Sequence, residues 1–68
     1  MIEKFEIGKK YKTTVAIPGC IEAGVVVTPT KDKNTDTLER GAVNPERVFC
    51  STPSGGALFF HPSEVEEI

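Results

Sequence analysis

Apolar and polar positions alternate in short blocks along this chain, with turn residues between them. Over residues 10–17, Tyr11, Thr13, Val15 and Ile17 share one face of an extended segment, while Lys10, Lys12, Thr14 and Ala16 share the other. A period of two with β-branched residues predicts a half-buried strand, closed by Pro18-Gly19. Residues 23–28 carry the apolar run Gly24-Val25-Val26-Val27, a second strand covered on both faces or bent at Gly24 and ended by Pro29. The run at 47–51 and the run at 57–60, joined through Thr-Pro-Ser-Gly-Gly, predict a β-hairpin. In its second arm Leu58 and Phe60 face one way and Ala57 and Phe59 the other, so one of the two phenylalanines lies outside the main core.

Two further segments frame these strands. Residues 1–8 form a lead-in, with Ile2, Phe5 and Ile7 apolar and Gly8 at its end. Residues 30–45 form a long polar connection, of a length that is often functional. A short helical turn is expected at 37–40, capped by Asp36, with Leu38 and Val43 pinning the loop to the body. After His61-Pro62 stops the fourth strand, Ser63-Glu64-Val65-Glu66 fits a capping box with Ser63 as cap. A single helical turn and a short last strand should follow.

These elements predict an all-β fold: a five-stranded SH3-like barrel with a long polar loop and a short C-terminal helical turn, one domain over residues 1–68. The resemblance to SH3 domains is local, over Gly56-Ala57-Leu58-Phe59-Phe60-His61-Pro62-Ser63-Glu64-Val65-Glu66-Glu67-Ile68, where a glycine-led strand runs into a proline, a 3₁₀ turn and a valine-containing strand. It implies the fold alone. SH3 domains grip polyproline with clustered tyrosines and a tryptophan; this chain has no tryptophan and one tyrosine, and the turn at 17–22 carries a single carboxylate. Gly19 and Gly24-Val25-Val26 are similar, more loosely, to the ribosomal type of SH3-like barrel.

Composition narrows the function classes. A chain of 68 residues buries only about 60% of its unfolded surface, which leaves little room for a deep catalytic pocket. Net charge is −2, from eight basic and ten acidic residues, so no whole-domain footprint for nucleic acid exists. Lysines gather at 4, 9, 10 and 12, and glutamates at 64, 66 and 67. No apolar run is long enough to span a membrane, and the opening residues lack the apolar region of a secretory signal. Cys20 and Cys50 are read as reduced thiols in a cytoplasmic protein, Cys50 as a small core side chain.

No catalytic constellation, metal set or cofactor motif is expected. His61 is the only histidine, and Ser54-Gly55-Gly56 lacks the lysine and helix of a phosphate loop. The expectation is a non-enzymatic protein-binding module, an adaptor or inhibitor of the size that phages and mobile elements use. Its partner surface is predicted at Lys10, Tyr11, Lys12 and Phe59, with Lys31, Lys33 and Arg40 from the long loop. Tyr11 and Phe59 would flank an exposed apolar patch; the alternative is that Phe5 packs back over them as core. A second reading is a nucleic-acid binder using Lys9, Lys10 and Lys12. The chain is expected to be a monomer or a weak homodimer.

Overall fold

A computed structural model describes residues 2–34 and 37–68. It contains five strands, β1 (Tyr11–Thr13), β2 (Val26–Pro29), β3 (Val48–Ser51), β4 (Ala57–Phe60) and β5 (Val65–Glu67), and one 3₁₀ turn at Pro62–Glu64. All neighbours are antiparallel, in the order β4-β3-β2-β1-β5. The ladder does not close on itself, so β4 and β5 are its edges. β2 serves two ladders: Val26 and Val27 pair with β1, while Thr28 and Pro29 pair with β3. Among the described residues no helix is long and apolar enough to cross a membrane.

Alternation decides what lies inside. Tyr11, Thr13, Val27, Val48, Cys50, Phe60 and Val65 are all buried, and Phe5 and Ile21 complete the cluster from outside the strands. Leu58 packs against this core beside Phe60, while Phe59 faces out, as the alternation in the fourth strand predicts.

β1 is shorter than the alternation over 10–17 predicts. Thr13 is where it ends, because its groups turn to the 22–25 bend: Thr13 Oγ1 donates to Glu22 O (2.8 Å) and accepts from Val25 N (3.0 Å), and Thr13 O accepts from Gly24 N (2.7 Å). Gly24 takes φ +83°, a region that disfavours a Cβ. The intervening arm closes on its own bridge, Ile17 to Ile21. A Thr13→Val substitution keeps the shape and leaves the half-buried Val25 amide and the Glu22 carbonyl without their partner. It is expected to lower stability by about 1–3 kcal/mol, read as a lower urea midpoint at unchanged slope.

Pro29 belongs to β2 rather than merely following it. Thr30 N donates to Phe49 O (2.8 Å), which makes Pro29 and Cys50 a pair that exchanges no ladder bond. The missing proline N–H therefore costs nothing there.

The described part of the long connection is also more ordered than a polar loop. Lys31 bridges Leu38, Glu39 N donates to Thr30 O (3.3 Å), Phe49 N donates to Glu39 O (2.8 Å), and Arg40 bridges Val48. The segment at 37–40 is thus an extended tongue laid along β3, not a helical turn, because β3 takes up its backbone groups. The proposed cap, Asp36, lies outside the described residues. Leu38 does pack on the core; Val43 does not, and is fully exposed.

The C-terminal turn forms two residues earlier than the Ser63 capping box predicts. Pro62, with its fixed φ, starts the turn, so His61 is the cap. Glu64 Oε1 accepts from His61 N (2.7 Å) and Ser63 N donates to His61 Nδ1 (3.1 Å). β5 then pairs with β1, Lys12 opposite Glu66 and Tyr11 opposite Glu67.

Candidate functional site

The fold scatters the predicted partner residues. Tyr11 is corrected outright: it is fully buried, its ring meeting Phe5 edge-on with centroids 5.2 Å apart, and its hydroxyl accepting from Glu6 N (2.9 Å). The inward face of β1 is the one that carries Tyr11 and Thr13, so Tyr11 flanks no patch with Phe59.

The lysines beside it are exposed but largely answered. β1 lies against the acidic β5, so Lys12 Nζ meets Glu66 Oε1 at 3.4 Å, and Lys9 Nζ meets Glu67 Oε1 at 2.8 Å and Glu6 Oε2 at 3.3 Å. The hydrogen bonds to Glu67 and Glu6 raise the Lys9 pKa, and the bond from Lys9 lowers that of Glu67. Lys10 makes no ion pair with a described residue. A row of cations paired this way is a poor track for phosphates, whose binding rests on unneutralised charge.

Lys31 and Lys33 precede the tongue, Lys31 bridging its Leu38, and both are exposed. Arg40 donates from Nη1 to Pro45 O (3.0 Å) and lines a groove of about 520 Å³ with Lys4, Phe5, Glu46, His61 and Pro62. In that groove His61 Nε2 contacts Glu46 Oε2 and His61 Nδ1 contacts Ser63 Oγ, each at 2.8 Å. A serine–histidine–carboxylate row results. However, Nδ1 already accepts the Ser63 amide, and the Ser63 and Glu64 amides are both engaged in capping. The row is a cap with a carboxylate behind it. Among the described residues no group of three His, Cys, Asp or Glu side chains is placed to hold a metal.

The outer face of β3 and β4 is different in kind. Phe49 and Phe59 stand opposite one another, ring centroids 4.7 Å apart and tilted 42°. Phe59 is 40% exposed. It borders a shallow hollow of about 390 Å³ with Gly41, Ala42, Val43, Asn44 and Arg47. The loop forming that hollow is tied at both ends: Gly41 N donates to Arg47 O (2.8 Å), Arg47 N to Asn44 O (3.0 Å) and Glu46 N to Asn44 Oδ1 (3.1 Å). Gly41 is required, since a Cβ there would lie 2.7 Å from Asn44 O. At the crest stands Val43, 100% exposed. Arg47 is held beside it by Glu64 (Nη1 to Oε1, 2.8 Å).

Phe59 is therefore the predicted residue that lies on an apolar surface, with Val43 rather than Tyr11 beside it. Sequence reasoning treated Val43 as an anchor because an apolar residue in a polar loop usually is one. A second apolar groove, about 610 Å³, runs between the arm at 16–22 and the hairpin turn, lined by Ile17, Pro18, Cys20, Ile21, Val25 and Pro53. Cys20 is exposed there, and Cys50 is buried.

No protein-family model, curated protein or solved structure matches this chain.

Proposed function

We propose that the chain is a non-enzymatic protein-binding module, an adaptor or inhibitor built on an SH3-like barrel, which engages its partner through the outer face of β3 and β4. One observation carries this reading: a hydrogen-bonded loop presents a wholly exposed Val43 next to the exposed ring of Phe59, with Arg47 at its margin. Apolar side chains held out on a rigid loop gain from burial against a partner and lose little entropy on binding. The barrel reading is supported by the strand order, by β2 serving two ladders, and by the 3₁₀ turn between β4 and β5. Two free thiols suit a reducing, cytoplasmic setting. The rival nucleic-acid reading is weakened by the glutamates that answer Lys9 and Lys12.

The test compares the native chain with Val43→Asp as baits for crosslinking in host lysate. Val43 touches little, so this variant should melt as the native chain does. A protein captured by the native chain and lost from Val43→Asp supports the reading. Equal capture by both, or capture of nucleic acid alone, overturns it.

A further inference from the structure

We infer that the free edge of β4 is a self-association surface, and that a second copy of this chain pairs with it antiparallel about a two-fold axis through Phe59. The inference rests on the reading of the β3–β4 face as the interaction surface, and adds a partner to it.

The backbone geometry comes first. Phe49 directs both of its main-chain groups away from β4: its N–H donates to Glu39 O (2.8 Å) and its carbonyl accepts from Thr30 N (2.8 Å). Phe59, directly opposite, exchanges no ladder bond with it. The N–H and C=O of Phe59 thus point to the open edge, and by the same alternation so do those of Ala57. Among the described residues neither has a hydrogen-bond partner there.

Strand edges of this kind are usually guarded by charge, proline or a bulge. β5, the other edge, carries Glu66 and Glu67. β4 reads Ala-Leu-Phe-Phe and has none of these guards.

Self-complementarity then selects the occupant. With the axis at Phe59, each copy donates its Phe59 N–H to the other's Phe59 carbonyl, which closes a two-bond ring. The axis is perpendicular to the sheet, so outer faces stay on one side. Each Phe49–Phe59 pair then meets its counterpart, giving a row of four rings across the joint. Cross-strand aromatic pairs of this kind are favourable. No charged residue lies in β4, so the two-fold brings no like charges face to face within it. The strand is only four residues long, so the interface is small and the dimer weak.

The experiment is sedimentation equilibrium of the native chain from about 10 µM to 1 mM, with ¹⁵N amide spectra across the same series. Dimer formation is expected, with the Ala57 and Phe59 amides shifting most. Phe59→Lys places like charges opposite one another and should weaken association at least about tenfold. Phe59→Thr, which keeps β-propensity, should weaken it as well, and both should retain the native circular dichroism. A chain that stays monomeric throughout, or shifts centred on β5 or the arm at 16–22, overturns the inference. Ala57 and Phe59 amides that move only when a different captured protein is added also overturn it, while leaving the Val43 result to stand. Loss of the Val43 effect with dimerisation intact strikes the proposed function and not this pairing.

Discussion

A Phe60→Ala chain is expected to be largely unfolded in water at room temperature, while Phe59→Ala, one residue away, stays folded. Phe60 is fully buried against Val48, Cys50 and their neighbours, and truncating such a ring costs about 3–5 kcal/mol. A core this small supplies roughly that much in total. Phe59 is 40% exposed and loses chiefly its contact with Phe49, so about 1 kcal/mol is expected. Far-UV circular dichroism and urea titration of the two variants separate the cases. A cooperative Phe60→Ala transition close to that of the native chain would show that the inward face of β4 has been misassigned.

Alkaline pH is expected to unfold the native chain through Cys50. The thiol is buried, and burial pushes its pKa up from 9.0 to about 12. The fold therefore holds the neutral thiol. Its contribution is complete below the unfolded pKa near 9 and is lost progressively as pH rises from there towards 12, because only the unfolded chain releases the proton in that window. Three units correspond to about 4 kcal/mol by the upper end, on the order of the whole stability. Cys50→Ala carries a fixed packing loss but lacks this dependence. Stability plotted against pH should thus fall more steeply for the native chain above about pH 9, and parallel curves would refute the assignment. Thiol labelling gives a second readout: Cys20 is exposed and should react at once, Cys50 only at the rate of unfolding.

The strands were legible where alternation is unbroken. The hairpin of β3 and β4 and the short last strand follow directly from Val48-Phe49-Cys50-Ser51, Ala57-Leu58-Phe59-Phe60 and the valine after the turn. Ends of elements were less legible, since they depend on partners distant in sequence. β1 stops at Thr13 because its hydroxyl binds Glu22 and Val25, and the tongue is extended because Glu39 and Arg40 bond to β3. No local pattern encodes either fact.

The surface was legible only in part, for the same reason. Alternation put Tyr11 and the lysines of the first strand on opposite faces, but which face turns inward is decided by the other strands. The neutralising glutamates are brought to Lys9 and Lys12 by a pairing across almost the whole chain. Val43 reads as an anchor until the hydrogen bonds of 41–47 are seen to hold it outward. Alternation in the fourth strand puts one phenylalanine outside, and the packing of Phe60 on Val48 and Cys50 decides that it is Phe59.

The pairing of β1 with β5 has a consequence for how the molecule folds. Tyr11 is laid beside Glu67, so the core around Tyr11 and Val65 stays open until the first strand has met the fifth. The β3–β4 hairpin is local and closes quickly, whereas joining the first strand to the fifth loops most of the chain. A refolding chain therefore closes the hairpin first and leaves Phe5, Tyr11 and Val65 uncovered until β1 meets β5, and that long-range closure sets the pace of folding.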